Sequence, residues 1–264
     1  MVVKTYSMSE NPAMHTFIPS PTVRDATFMP EADRTAGKRA VPRARFLSSI
    51  TRELFIAASG LVLVMFILGH LAGNFFLFGG AAAYNGYSEH LHALGVVLWA
   101  IRLGLVTALL VHVVLTVMLA LENRAARKTR YAVSTTAGGT DVAKLTMIYT
   151  GLLLAAFMVV HLVDFTFSDH TGARSMVAGE NLGLYGVVWN SFANPLHSLF
   201  YILAVCAVGL HLSNAVSTIW VTLGVLTDAA TVKVKRISKV VGALVALAFC
   251  SIPLYVLATT YLGI

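Results

Sequence analysis

The sequence predicts an all-α integral membrane protein with five transmembrane helices, and three observations carry that prediction. Hydrophobic residues fill 57% of the 264 positions and charged residues 12%, with a mean hydropathy of +0.77, a balance foreign to ordinary soluble domains. Five apolar stretches, near 54–78, 93–121, 145–168, 196–226 and 240–261, each reach the roughly 20 residues that cross a bilayer as helix. The basic residues gather on alternate connections between them. A soluble protein with large buried helices is the alternative, and it does not carry such long apolar runs bounded by charge.

Ahead of the first stretch lies a polar arm, residues 1–47, with Pro12, Pro19, Pro21, Pro30 and Pro42 and no apolar core of signal-peptide type. It is expected to be cytoplasmic and largely irregular, and residues 48–264 to form the membrane domain. Lys and Arg crowd the arm (Lys38, Arg39, Arg43, Arg45, then Arg52), the second connection (Arg124, Arg127, Lys128, Arg130, Lys144) and the fourth (Lys233, Lys235, Arg236, Lys239). Only Arg102 and Arg174 of the 19 basic residues fall elsewhere, which puts the amino terminus on the cytoplasmic side and the carboxyl terminus outside. The pI near 9.6 follows from that topology, and no nucleic-acid motif accompanies it. Cys206 and Cys250 both fall in apolar stretches and are expected to behave as small buried hydrophobes. Two cysteines also exclude covalent C-x-x-C-H haem attachment and a cysteine-held iron–sulfur cluster.

Each of the first four stretches carries one deeply placed histidine: His70 in GHLAGN, His112 in LLVHVVL, His161 in VVHLVDF and His211 in VGLHLSN. An ionisable group inside a spanning helix marks a functional site by default, because hydrocarbon penalises it when unpaired. Depth sorts the four into two pairs. His70 follows Arg52 by 18 residues and His161 follows Lys144 by 17, which sets both about 25 Å from the cytoplasmic side. His112 precedes Glu122 by ten residues, about 15 Å from that side, and His211 follows Pro195 by 16, about 24 Å from the other. Two histidines at one depth on different helices are what an axially ligated haem iron needs, and two levels make a relay across the membrane. Hydrogen bonding, a proton path or another metal site are the alternatives. Gly60, Gly69, Gly73, Gly104, Gly151 and Gly209 lie on the same helices and are expected to leave room for flat macrocycles; plain helix packing uses such residues too.

The run GHLAGNFFLFGGAAAYNGYSEHLHALG followed by LWAIRLGLVTALLVH, with one histidine in each of the next two helices, resembles the succinate dehydrogenase cytochrome b subunit of the single-chain, five-helix, dihaem type. That family is related to the membrane subunit of dihaem quinol:fumarate reductase, and the resemblance covers roughly residues 46–262. It implies that His70 and His161 ligate a distal haem b and His112 and His211 a proximal one, the pairing that depth gives independently. It also implies flavoprotein and iron–sulfur partner subunits that carry the dicarboxylate chemistry, menaquinone as acceptor, a bacterial cytoplasmic membrane location as part of respiratory complex II, and room for a higher oligomer of the complex. The chain itself has no dinucleotide fingerprint and no cluster-binding cysteine set. Dihaem fumarate reductases can carry a glutamate two positions before the fourth histidine; here that place is Gly209, which speaks against a proton pathway of that type. A quinol:fumarate reductase subunit stays open as an alternative, as does the dihaem cytochrome b of another membrane dehydrogenase. A transporter or haem-handling protein is a different class, and neither broken helices nor repeat symmetry points to it.

Other polar residues fall within or near the bilayer. Arg102, ten residues before His112 and about 14 Å inside the outer edge, is expected to pair with a haem propionate or with Asp164 rather than snorkel to the surface. Asp164 stands three residues after His161, on nearly the same helical face. Glu89, His90 and His92, where the first outer connection enters the second helix, join Asp164 as candidates for an outer quinone and proton site, with a solvated polar edge as the alternative. Ser48, Ser49 and Arg52 open the first helix and are candidates for a proximal propionate or quinone contact; capping and the positive-inside bias also account for them.

Overall fold

The computed structural model describes residues 48–126, 142–224 and 227–263. The arm 1–47 and Arg127, Lys128 and Arg130 of the second connection lie outside the described residues. Five helical segments are long and apolar enough to cross a bilayer: Ile50–Ala93, Val96–Ala125, Thr146–Thr166, Pro195–Thr222 and Ala230–Leu262. The chain is an all-α membrane protein at this level.

Helix α1, Ser49–Asn74, starts where Ser48 caps it, the serine Oγ accepting from the Thr51 amide at 3.1 Å. Its 26 residues rise about 39 Å, more than the hydrocarbon thickness. A 3₁₀ turn, Phe75–Gly79, follows, and Gly80 at φ +83° takes a conformation that costs glycine little, turning the chain into the shorter α2, Gly80–Ala93. Helix α3, Val96–Ala126, returns across the bundle, and α4, Val142–His161, crosses again before a π-helical turn, Leu162–Thr166. Asn194 caps α6, Pro195–Thr222, by accepting from the amides of Leu196 and His197, with Pro195 in the first turn where its missing N–H has no partner to lose. Helix α7, Asp228–Leu262, is the longest at 35 residues, about 52 Å, so its basic start (Lys233, Lys235, Arg236) reaches past any hydrocarbon layer.

Between α4 and α6 the chain folds a compact cap. A 3₁₀ turn (Ala173–Ser175), a two-stranded antiparallel hairpin (β1 Met176–Val177, β2 Glu180–Asn181) and α5 (Gly183–Ala193) lie at the end of the bundle that also carries α2. Eleven residues are too few to span, so α5 buries its apolar face instead: Tyr185, Val188 and Phe192 pack with Leu77, Tyr84, Tyr201, Ile252 and Val256 in the main core. Gly186 lies so close to the Ser175 carbonyl that a Cβ has no space there. In the amino-acid pattern this cap registers only as a connection over 169–195.

Along the spanning helices large apolar side chains face outward: Leu110 is 58% exposed, Leu203 62% and Leu247 68%, acceptable only where the solvent is as apolar as leucine. Helices α6 and α7 make the tightest seam. A Cβ built on Gly209 would stand 2.7 Å from both the Ala246 Cβ and the Gly242 carbonyl oxygen, and one on Gly242 would meet the Gly209 carbonyl. One further turn along, buried Ser238 donates to the carbonyls of Leu212 and Ser213 and accepts from the Ser217 amide at 3.2 Å.

Candidate functional site

The four membrane histidines meet in two pairs. His70 of α1 and His161 of α4 have ring centroids 5.7 Å apart at an interplanar angle of 89°, toward the capped end of the bundle. His112 of α3 and His211 of α6 stand 6.4 Å apart at 74°, toward the basic end. Aromatic rings wall the first pair: Phe66 stacks on His70 at 5.3 Å, Phe249 lies 6.1 Å from it, and Phe157, Phe165 and Tyr201 surround His161.

The second pair is held by hydroxyls. Ser59 Oγ lies 3.4 Å from His112 Nδ1 and already donates its proton to the Phe55 carbonyl at 2.6 Å, so toward the ring it accepts. His112 Nδ1 also lies 3.2 Å from the Ile56 carbonyl, which accepts only from N–H; Nδ1 therefore carries the ring proton and Nε2 keeps its lone pair. Thr150 repeats the arrangement. Its Oγ1 donates to the carbonyls of Thr146 and Met147 and accepts from His211 Nδ1 at 3.2 Å. Beside each hydroxyl stands a glycine: a Cβ on Gly60 would come within 3.2 Å of His112 Cε1, and one on Gly151 within 3.3 Å of His211 Cε1.

Both supporting helices thus carry the same motif, Ser59-Gly60 with His70 and Thr150-Gly151 with His161, a hydroxyl, a glycine and a histidine ten residues past the glycine. Ten helical residues rise about 15 Å, which sets the same offset between the two pairs on opposite sides of the bundle. Ser59 and Thr150 were not among the sequence candidates. The repeated spacing was the signal that would have found them.

These residues fit b haem. Two imidazoles bound to one metal at about 2 Å have ring centres about 6 Å apart, and 5.7 and 6.4 Å bracket that value. Tying Nδ1–H to a carbonyl or hydroxyl is how a ligand histidine is oriented and its Nε2 made more basic. His161 Nδ1 is a buried nitrogen with no hydrogen-bond partner among the described residues, a cost left standing at the other pair. Among the described residues no three His, Cys, Asp or Glu side chains converge as a metal cage, and a porphyrin requires none, since it supplies four nitrogens itself. The six glycines divide: Gly60 and Gly151 seat histidines, Gly209 seats α7 and Gly73 faces the Tyr87 ring, whereas Gly69 and Gly104 meet nothing within 4 Å. Gly104 lines an apolar groove of about 450 Å³ between α1 and α3, with Phe55, Ser59 and Val62.

The remaining candidates sort differently from expectation. Asp164 is not paired with Arg102: it accepts from Tyr201 Oη at 2.7 Å, with His197 Nε2 at 3.4 Å and Arg174 at 3.8 Å. Asp164, Arg174, Asn190, Ser191, Asn194 and His197 line a polar cavity of about 240 Å³ at the capped end. Arg102 instead lies over the Trp99 ring at 5.2 Å, where the aromatic face stabilises the cation. Glu89, His90 and His92 are exposed at the end of α2, and the two histidines turn back on their own helix, to the carbonyls of Gly86 and Ser88. They do not join the Asp164 cluster. At the basic end Arg52 pairs with Glu122 at 2.7 Å, its side chain only 11% exposed and its Nε buried without a partner among the described residues; Ser48 is the helix cap, and the side chain of Ser49 lies outside what is described. Cys206 is exposed on the bundle surface rather than buried, because it lies on the lipid edge of the α6–α7 seam. In the cap, the Thr171 hydroxyl and amide hold the Asp169 carboxyl below the usual carboxylate range, and burial pushes the Tyr185 phenol up. The chain matches no protein-family model, no curated protein and no solved structure.

Proposed function

We propose that this chain is the membrane anchor and electron-transfer subunit of a succinate:quinone oxidoreductase in a bacterial cytoplasmic membrane. Two b haems would be held by His112 with His211 and by His70 with His161, the first nearer the cytoplasmic side and the second nearer the outer side. The observation that carries the reading is the meeting of four histidines from four helices in two pairs at ligand spacing. The basic residues support the orientation, since in the sequence all but Arg102 and Arg174 of the 19 fall in the arm, at the start of the first span or at the second and fourth connections.

When bound, each haem supplies a one-electron carrier at a fixed depth. The chain's own residues do the rest. His112 and His211 offer Nε2 while Ser59, Ile56 and Thr150 hold their Nδ1 protons. Phe66, Phe157, Phe165 and Phe249 exclude water from the capped-end pair. Asp164, with Tyr201 and His197, holds a proton-exchanging carboxylate one turn from His161 and next to a polar cavity, the place for menaquinone reduction on this reading. A flavoprotein and an iron–sulfur protein bound at the cytoplasmic face would deliver electrons from succinate.

Purified chain should contain two haems per polypeptide, with a low-spin b-type reduced-minus-oxidised spectrum, and should draw down a flavoprotein from its own membranes under mild solubilisation. A chain isolated without haem, or with one, defeats the dihaem reading. Two haems with a different dehydrogenase attached defeats only the assignment to succinate.

A further inference from the structure

The chain's two cysteines, Cys206 on α6 and Cys250 on α7, face each other across the helix seam. Three contacts set its register independently: Gly209 against Ala246, Ser213 against Gly242, and the Ser217 amide on Ser238 Oγ. Each step of four residues along α6 is matched by four in the opposite direction along α7. One more turn toward the capped end, three residues along α6 and four along α7, passes from Gly209 and Ala246 to Cys206 and Cys250, whose thiols interact across the seam. The backbones are at their closest nearby, where a Cβ on Gly209 would stand 2.7 Å from that of Ala246. A disulfide requires a Cα separation of about 4.4–6.8 Å, and facing residues on two helices come nearest to it beside such a crossing. Cys206 is exposed and Cys250 half-buried, so the pair opens onto the apolar surface of the bundle, away from aqueous oxidants and reductants.

We propose that Cys206 and Cys250 form a membrane-embedded dithiol that is oxidised to an interhelical disulfide by quinone dissolved in the bilayer. Two S–H bonds break and one S–S bond forms; the two electrons and two protons pass to the two carbonyl oxygens of the quinone, which leaves as the quinol. A quinone is the fitting oxidant because it dissolves in hydrocarbon, where charged or water-bound oxidants do not enter. The bond would pin α7 to α6 beside Phe249, whose ring lies 6.1 Å from His70, and so fix one wall of the capped-end pair. None of this depends on haem being present.

The test is a thiol count on the full chain in its native membranes, which two cysteines make unambiguous. Membranes are treated with decylubiquinone, whose fully substituted ring cannot add thiols, then denatured in the presence of a polyethylene-glycol maleimide. Untreated, reduced chain should take up two labels; quinone-treated chain should take up none and regain both after dithiothreitol. Cys206→Ser should keep its single label under quinone as a monomer. If both labels persist after quinone and also after copper phenanthroline, the thiols do not meet and the pair is not a dithiol site. If copper phenanthroline closes the bond and quinone does not, the geometry stands and the proposed oxidation is wrong.

Discussion

Replacing Gly209 by alanine isolates the α6–α7 seam as a determinant of stability. The added methyl would stand 2.7 Å from both the Ala246 Cβ and the Gly242 carbonyl oxygen, against the roughly 3.5–4.0 Å at which carbon atoms rest. The helices must part by about 1 Å, and because one neighbour is backbone, no side-chain rotation absorbs the shift. Overpacking of this kind costs about 1–3 kcal/mol, which for a chain of this size lowers Tm by about 2–12 °C. Gly86→Ala is the matched control: the position is helical, nothing lies within 4 Å, and alanine there should be neutral or stabilise by up to about 1 kcal/mol. Thermal unfolding of both variants in one detergent, followed by circular dichroism, gives the comparison. Equal shifts for the two, or a more stable Gly209→Ala, would refute the seam as described and reopen room at that place for a larger side chain.

On the dihaem reading, His112→Ala or His211→Ala should lose one haem and His70→Ala or His161→Ala the other, read from spectra and haem stoichiometry; two unchanged low-spin haems in any single variant remove that histidine from the ligand set. Ser59→Ala and Thr150→Val should weaken haem retention at the His112–His211 pair by about 10–100-fold and leave the other pair unaffected, as loss of a ligand's orienting hydrogen bond does elsewhere. Glu122→Gln should lower the melting temperature by replacing the carboxylate that pairs with the Arg52 guanidinium; a melting temperature unchanged from wild type counts against the pair. If menaquinone is reduced near Asp164 on the outer side, electrons crossing to the positive face gain about 2.3 kcal/mol per charge per 100 mV. An uncoupler should then slow succinate oxidation in sealed membranes and not in detergent, and an unaffected rate in sealed membranes places the working site at the other face.

What the sequence makes legible follows from how directly each feature depends on one physical quantity. Span number follows from apolar run length alone, and the meeting of His70 with His161 and of His112 with His211 follows from counting residues to charged boundaries. The cap was hidden because the α5 segment, GLYGVVWNSFA, is too short to register as a span and too apolar to register as a surface helix. Placing Asp164 on the face of His161, and so in reach of Arg102 as one of its two expected partners beside a haem propionate, assumes α-helical geometry through residue 164. The π turn instead closes with the Phe167 amide on the Leu162 carbonyl, five residues back, and this wider turn brings Asp164 to Tyr201 and His197 of α6. Ser59 and Thr150 read singly as small polar residues in apolar helices; their matching distance from a glycine and a histidine marks them as a pair, and the facing histidine shows what each hydroxyl's remaining lone pair does.

The doubled motif also constrains how such a site can vary. In α1 and in α4 one helix supplies the wall of one histidine pair and a member of the other, so the vertical offset is fixed by a continuous run of helix rather than by packing between helices. A residue inserted between Gly60 and His70 would rotate the histidine by about 100° and raise it by about 1.5 Å, removing it from His161 while Ser59 and Gly60 still met His112. Packing between helices can give by tenths of an ångström, but this offset changes only in whole residues. The spacing of ten is therefore held on both sides of the bundle by the same requirement. That requirement is met by two helices that share, besides the hydroxyl, the glycine and the histidine, Leu61 with Leu152, Leu63 with Leu154 and Phe66 with Phe157 at matching places.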